Sequence, residues 1–203
     1  EGLIAKPYAA RLRAGIDPAR ARPAAEVKAG DPLPFESDQT THFSVVDRAG
    51  NAVSNTTTLN FSYGLGLVAE GTGVLLNNEM DDFALRPGTP NAFGVMGFAA
   101  NAPQPGKRML SSMTPSFLES SDRVVAVGAP GGSRIITQVL LAILAYDAGL
   151  QPQQVAAQPR IHHQWMPDVI SAEKGALDAD TVRKLEAMGH KVNAGESSWG
   201  NLQ

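Results

Sequence analysis

Apolar positions recur along this chain with two periods, and each change of period marks an element. Ile135, Ile136, Val139, Leu140, Ile143 and Leu144 follow the helical repeat and predict a helix over 133–148, entered through Gly131-Gly132. A short helix is predicted over 152–157, and another from an Asp178 cap to Met188, closed by Gly189. Leu3, Ile4, Tyr8 and Leu12 predict a helix over 1–14, with Pro7 early enough to be tolerated in a first turn. Between these lie strand patterns. Residues 41–47 and 52–59 predict a hairpin around Asp47-Arg48-Ala49-Gly50-Asn51, and the alternation of Phe43 and Val45 with Ser44 and Val46 predicts that one of its faces is the more buried. A second hairpin is predicted from 114–119 and 123–128, turning at Ser121-Asp122. Residues 15–39 carry Pro18, Pro23, Pro32 and Pro34 and read as a short helix followed by a flexible linker. Residues 85–106 hold four prolines and four glycines, too irregular for a core element and long for a loop, which favours a lid with a function. Strand pairs followed by helices predict an α+β fold with antiparallel sheets.

Composition narrows the picture. The 203 residues are 43% hydrophobic and 18% charged, enough for one sizeable core. A net charge of -3 gives no reason to expect a nucleic-acid or anionic-membrane partner. No apolar run is long enough to predict a membrane span, and no signal peptide pattern is visible. The absence of cysteine excludes disulfides, thiolate metal sites and a cysteine nucleophile. Of the four histidines, His42, His162, His163 and His190, the adjacent pair would face opposite sides of a strand, so a structural role is expected and neither metal nor cofactor is implied. The chain begins at Glu1 without a methionine and reads as a fragment of a longer precursor.

Several motifs carry chemistry. Thr40-Thr41-His42-Phe43-Ser44 is followed by Gly50-Asn51-Ala52-Val53, then by Thr56, Thr58, Leu59 and Asn60 before the Tyr63-Gly64 pair. Further on stand Asn77-Asn78-Glu79-Met80-Asp81-Asp82-Phe83, Ser111-Ser112-Met113-Thr114-Pro115 and Gly128-Ala129-Pro130-Gly131-Gly132-Ser133-Arg134. Together these closely resemble the processing-site and substrate-site signatures of the γ-glutamyltranspeptidases, over nearly the whole chain. The resemblance implies the four-layer αββα fold of the N-terminal nucleophile hydrolases, present here in part. It implies that residues 1–39 are the tail of a large subunit and 40–203 most of a small one. It implies self-cleavage between Gln39 and Thr40, and a periplasmic or extracellular location.

By the same resemblance Thr40 is the nucleophile. A threonine hydroxyl needs a base, and an N-terminal residue carries one in its own α-amine. Thr58, on the partner strand, would hydrogen-bond that hydroxyl. Asn60, Glu79 and Asp82 would hold a substrate α-ammonium, which needs fixed acceptors once out of water. Ser111 and Ser112 would donate to the α-carboxylate, aided by an arginine from the large subunit. Gly131 and Gly132 would offer backbone N–H groups to an oxyanion, and glycine permits the close approach. The implied reaction moves a γ-glutamyl group from glutathione or a similar small donor to water or to an amino-acid or peptide acceptor. Residues 87–98 match a segment that covers the donor pocket in some members of the family. Two alternatives remain: an acylase of the same family acting on cephalosporin side chains, and an unprocessed, inactive relative.

Overall fold

The computed structural model describes residues 6–14, 40–199 and 201–203. The readings of 1–5 and 15–39, Gln39 among them, lie outside the described residues. The chain divides into two units, Glu1–Ser37 and Asp38–Gln203. The first contributes helix α1, Lys6–Ala14, with Pro7 in its opening turn and Arg11 and Arg13 in its last. Everything below concerns the second.

Strands β1, Thr40–Val46, and β2, Ala52–Thr58, pair antiparallel from Thr40↔Thr58 to Val46↔Ala52. The side chain of Asp47 builds the turn: Oδ1 accepts from the N–H groups of Ala49 and Asn51 at 2.8 and 2.9 Å, and Oδ2 from Asn51 Nδ2 at 2.7 Å. One face of this hairpin is the more buried, as the alternation predicts, and it is the polar one. Thr40, His42 and Thr56 are buried, while Phe43, Val45 and Val53 are exposed. The polar face turns inward because its polar atoms find partners there: His42 Nδ1 lies 2.8 Å from Thr56 Oγ1.

Strands β3, Ser116–Glu119, and β4, Val124–Val127, form the second antiparallel pair. Gly131-Gly132 leads from β4 into α2, Arg134–Asp147. Its buried face, Ile135, Val139, Ala142 and Ala145, joins Val127 and Val155 in the core, with Leu118 and Leu202 packed against it. The Leu202 segment is tied down where Gly128 and Gln203 exchange N–H···O bonds at 3.1 and 2.9 Å. Helix α3, Pro152–Ala157, follows and supplies Val155.

A three-stranded sheet closes the unit: β5, Ile161–His162; β6, Ile170–Glu173; and β7, Val192–Glu196. Helix α4, Ala179–Ala187, joins β6 to β7, and these two strands run parallel, against the expectation of antiparallel pairing throughout. The Asp178 cap of α4 is present, its side chain accepting from Thr181 N at 2.7 Å. β6 ends in a buried Glu173 rather than an apolar residue. That carboxylate takes Arg160 Nη1 at 3.2 Å, Arg160 N at 2.9 Å and Trp199 N at 2.6 Å. No described helix is long and apolar enough to cross a membrane.

Candidate active site

Thr40 opens β1 and Thr58 closes β2, directly opposite one another. Opposed residues in an antiparallel ladder project from the same face, so the hydroxyls meet, and Thr40 Oγ1 donates to Thr58 Oγ1 at 3.1 Å. Thr58 Oγ1 also accepts from Asn60 N at 2.9 Å. That second bond needs the chain to turn back at once, and Asn60 does so at φ 72°. Asparagine tolerates this left-handed conformation better than most residues.

The buried Asn60 side chain donates from Nδ2 to the Asn78 carbonyl at 3.2 Å, while Asn78 Oδ1 accepts from Phe61 N at 3.0 Å. The end of β2 is thus stitched to the segment before the acidic residues. Glu79–Asp82 forms one 3-10 turn. Side chains three apart eclipse in such a turn, and the carboxyls of Glu79 and Asp82 share a hydrogen bond. Burial pushes Glu79 up to about 7, helped by that bond and by the charge of Asp82. Burial also raises Asp82; the bond from Glu79 opposes this and the charge of Asp81 adds to it.

Asn101 places the serines beside these acids. Its Nδ2 donates to the Asp82 carbonyl at 2.7 Å and its Oδ1 accepts from Leu110 N at 3.1 Å, immediately before Ser111-Ser112. Ser111 Oγ accepts from Met113 N at 3.1 Å.

The glycine turn is held from below. The Gly131 and Gly132 carbonyls accept from Arg134 N and Ile135 N at 3.1 and 3.2 Å. In a planar trans peptide the N–H points opposite to the carbonyl. The N–H groups of Gly132 and Ser133 therefore project off the start of α2, where the helix dipole favours negative charge. One peptide earlier, the Pro130 carbonyl accepts from the buried Gln138 Nε2 at 2.9 Å, which fixes the Gly131 N–H in turn.

His42 joins the two halves. It lies on the same face of β1 as Thr40, and burial lowers its pKa by disfavouring the charged ring. A Cβ at Gly128 would fall 2.0 Å from His42 Nδ1. Only glycine lets β1 come this close to the strand leading into Gly131-Gly132.

Seven of the nine residues singled out from the sequence line one cleft: Thr40, Thr58, Asn60, Asp82, Ser111, Ser112 and Gly132. Glu79, bonded to Asp82, and Gly131, next to Gly132 in the chain, do not line it. Phe93 also lines the cleft, coming from the proline- and glycine-rich stretch. Its ring lies against Gly132, where a Cβ would meet Phe93 Cδ1 at 2.5 Å, and edge-on to Phe61 at 6.0 Å. The cleft that Phe93 helps to line has room of about 30 Å³. The base of this lid is pinned by Lys107 Nζ, which donates to the carbonyls of Ala100 and Ala102 at 2.6 and 3.1 Å. Sequence reasoning does not single out Phe93 or Asn101. The signal for Phe93 was an aromatic inside the lid stretch; Asn101 had none. Among the described residues no three histidine or acidic side chains converge as a metal site.

The α+β fold is that of the N-terminal nucleophile hydrolases, represented here in part. The chain belongs to the gamma-glutamyltranspeptidase family, whose sequence profile matches residues 1–203. It is 47% identical over 194 residues to the glutathione hydrolase proenzyme of Escherichia coli (strain K12), covering 95% of this chain and 33% of that protein. The chain thus spans about a third of the length of the curated relatives it matches. A mutant gamma-glutamyltranspeptidase of Helicobacter pylori superposes with a TM-score of 0.74 at 45% identity, over 80% of this chain and 88% of that one. An acivicin-inhibited gamma-glutamyltranspeptidase, for which critical roles of the C-terminus in autoprocessing and catalysis are described, matches with the same TM-score and identity over 80% of this chain and 87% of the other.

Proposed function

We propose that the protein carrying this chain transfers or hydrolyses γ-glutamyl groups, with Thr40 as nucleophile. The relatives named glutathione hydrolase support a small donor such as glutathione. Residues 1–39 are read as the tail of the large subunit and 40–203 as most of the small subunit. Cleavage at Gln39–Thr40 would free the Thr40 α-amine, whose ordinary pKa of about 7.7–8.0 suits a general base near neutral pH. The amine takes the hydroxyl proton as Oγ1 attacks the γ-carbonyl carbon. Thr58 holds that hydroxyl in place. The resulting oxyanion faces the N–H groups at the start of α2, donors worth about 2.7–4 kcal/mol each in such sites. The C–N bond then breaks, the leaving amine takes the proton from the Thr40 ammonium, and a γ-glutamyl ester remains on Thr40. Water or the amine of an acceptor attacks that ester and restores the hydroxyl. At the other end of the donor, Asp82 with Glu79 and Asn60 accepts from the α-ammonium, and Ser111 and Ser112 donate to the α-carboxylate.

One observation carries this reading above the others. The Thr40–Thr58 hydroxyl contact of 3.1 Å opens into the same cleft as Gly132, Asp82 and Ser111-Ser112. The test is Thr40→Ala in the full-length precursor, followed by intact mass and by turnover of a chromogenic γ-glutamyl anilide. The variant stays as one chain and loses turnover; a variant that still cuts itself ends the proposal.

A further inference from the structure

The lid residue Phe93 lies against Gly132, and beside it Ala92 N donates a long bond of 3.3 Å to Asp81 Oδ2. Inside the lid, Asn91 Oδ1 accepts from the N–H groups of Phe93 and Val95, each at 3.0 Å. These internal bonds give the apex its shape.

A second tie, made to Phe93 itself, comes from the segment after β5. Gln164 Nε2 donates to the Phe93 carbonyl at 3.2 Å and to the Met166 carbonyl at 3.0 Å. Because both partners are carbonyls, the amide is oriented with its nitrogen toward them, and Gln164 Oε1 accepts from His162 Nε2 at 2.8 Å. On the far side of that buried ring, Nδ1 lies 2.8 Å from Thr137 Oγ1, in the first turn of α2. Hydrogen bonds therefore run unbroken from the helix that begins at the glycine turn, through His162 and Gln164, to the backbone of the lid. The same segment makes a second contact, the Trp165 ring stacking on Phe98 at 6.2 Å with 29° between planes. Gly94 lies between the two contacts, and a Cβ there would stand 3.4 Å from Gln164 Nε2.

We infer that Gln164 is a positioning residue, the latch that seats Phe93 over the cleft, and that its hold on the lid decides which donors enter. Gln164 touches no candidate catalytic group. It acts through the lid backbone, and His162 acts through Gln164. With the latch made, a small γ-glutamyl donor is retained under Phe93 and a polymeric one is kept out.

The kinetic half of this inference rests on the γ-glutamyl chemistry proposed above, so the test has two arms. Gln164→Glu keeps an acceptor for His162 but has no N–H for the Phe93 carbonyl, and its oxygen repels that carbonyl. Gln164→Leu removes both contacts. In the full-length protein, backbone exchange at Gly94 and Val95 speeds up in both variants by about 3- to 10-fold, the effect of one lost hydrogen bond. Exchange in α4 stays as in the parent. In the kinetic arm, KM for a small γ-glutamyl anilide rises by about the same factor with little change in kcat, and relative activity on poly-γ-glutamate increases. If Gln164→Glu matches the parent in exchange and in KM, the latch is overturned. Loss of turnover on both donors by both variants, with self-cleavage intact, overturns it too, since a latch does not abolish chemistry. A parent with no γ-glutamyl turnover sinks the proposed function instead, and the exchange arm still decides the latch.

Discussion

Glu79 and Asp82 stand three residues apart on one 3-10 turn, close enough to share a hydrogen bond. Two carboxylates in that position cannot both ionise without cost. Glu79 is the one whose pKa reaches about 7, against an ordinary value of 4.5, with burial as the larger cause. The folded protein therefore holds a proton there between those two values. The stability this contributes is full below about 4.5 and is lost as pH rises through about 7. Ammonium binding runs the other way, because only the ionised pair attracts a cation fully. KM for a γ-glutamyl donor is accordingly expected to fall as pH rises through about 7, and Glu79→Gln is expected to flatten that limb while Asp82 keeps binding at work. A Thr40 amine freed as proposed would act in the chemical step, so its effect would show in kcat. Measuring KM and kcat separately against pH distinguishes them. A KM limb unchanged in Glu79→Gln would remove Glu79 from the ammonium site.

Among the elements, the contact of β1 with the end of β4 decides where Thr40 stands relative to the glycine turn. It depends on Gly128, whose missing side chain makes room for the His42 ring. Gly128→Ala is expected to destabilise the fold by about 1–3 kcal/mol through overpacking. His42→Ala alone loses a buried ring and its bond to Thr56. The double substitution is expected to cost less than the sum, because the smaller residue at position 42 gives back the space taken at 128. Denaturant unfolding of the four proteins in this cycle measures the coupling, and strict additivity would show that the two sites do not press on each other.

The same contact shows where sequence reasoning stops. Hairpin turns and helical periods are local, so β1–β2, β3–β4, α2, α3 and α4 were legible to within a residue or two. Two-residue alternation says that the faces of β1 differ, but not which is inner. Phe43 and Val45 are apolar and face out because the polar face carries bonds that only the folded partners supply. The sheet of β5, β6 and β7 was illegible because Glu173 replaces an apolar end residue, and its partners Arg160 and Trp199 lie 13 and 26 residues away. In the site, the Thr40–Thr58 pairing could be read from the hairpin register. Asn101, which spaces the acids from the serines, gave no local signal at all.

At the scale of the whole molecule, the outward faces remain to be explained. Val45 and Val53 are opposed across the hairpin and are 52% and 53% exposed, with Phe43 beside them. On α2, Ile136, Leu140 and Leu144 recur every fourth residue and are each about half exposed. That spacing makes a stripe about 12 Å long at 1.5 Å per residue. Proteins that work as monomers rarely leave such patches contiguous and open. The chain spans about a third of its curated relatives' length, and the large subunit proposed above is the occupant that would cover these faces. Produced alone, the 203-residue chain is therefore expected to self-associate and to bind an apolar dye. Produced together with the remaining part of the precursor, it is expected to elute as one discrete complex that leaves the dye dark. Leu140→Glu should weaken that complex, since a carboxylate buried at an apolar contact is left without a partner. Size-exclusion chromatography with dye fluorescence checks each step. A chain that is monodisperse and dye-silent by itself would mean that these faces need no partner.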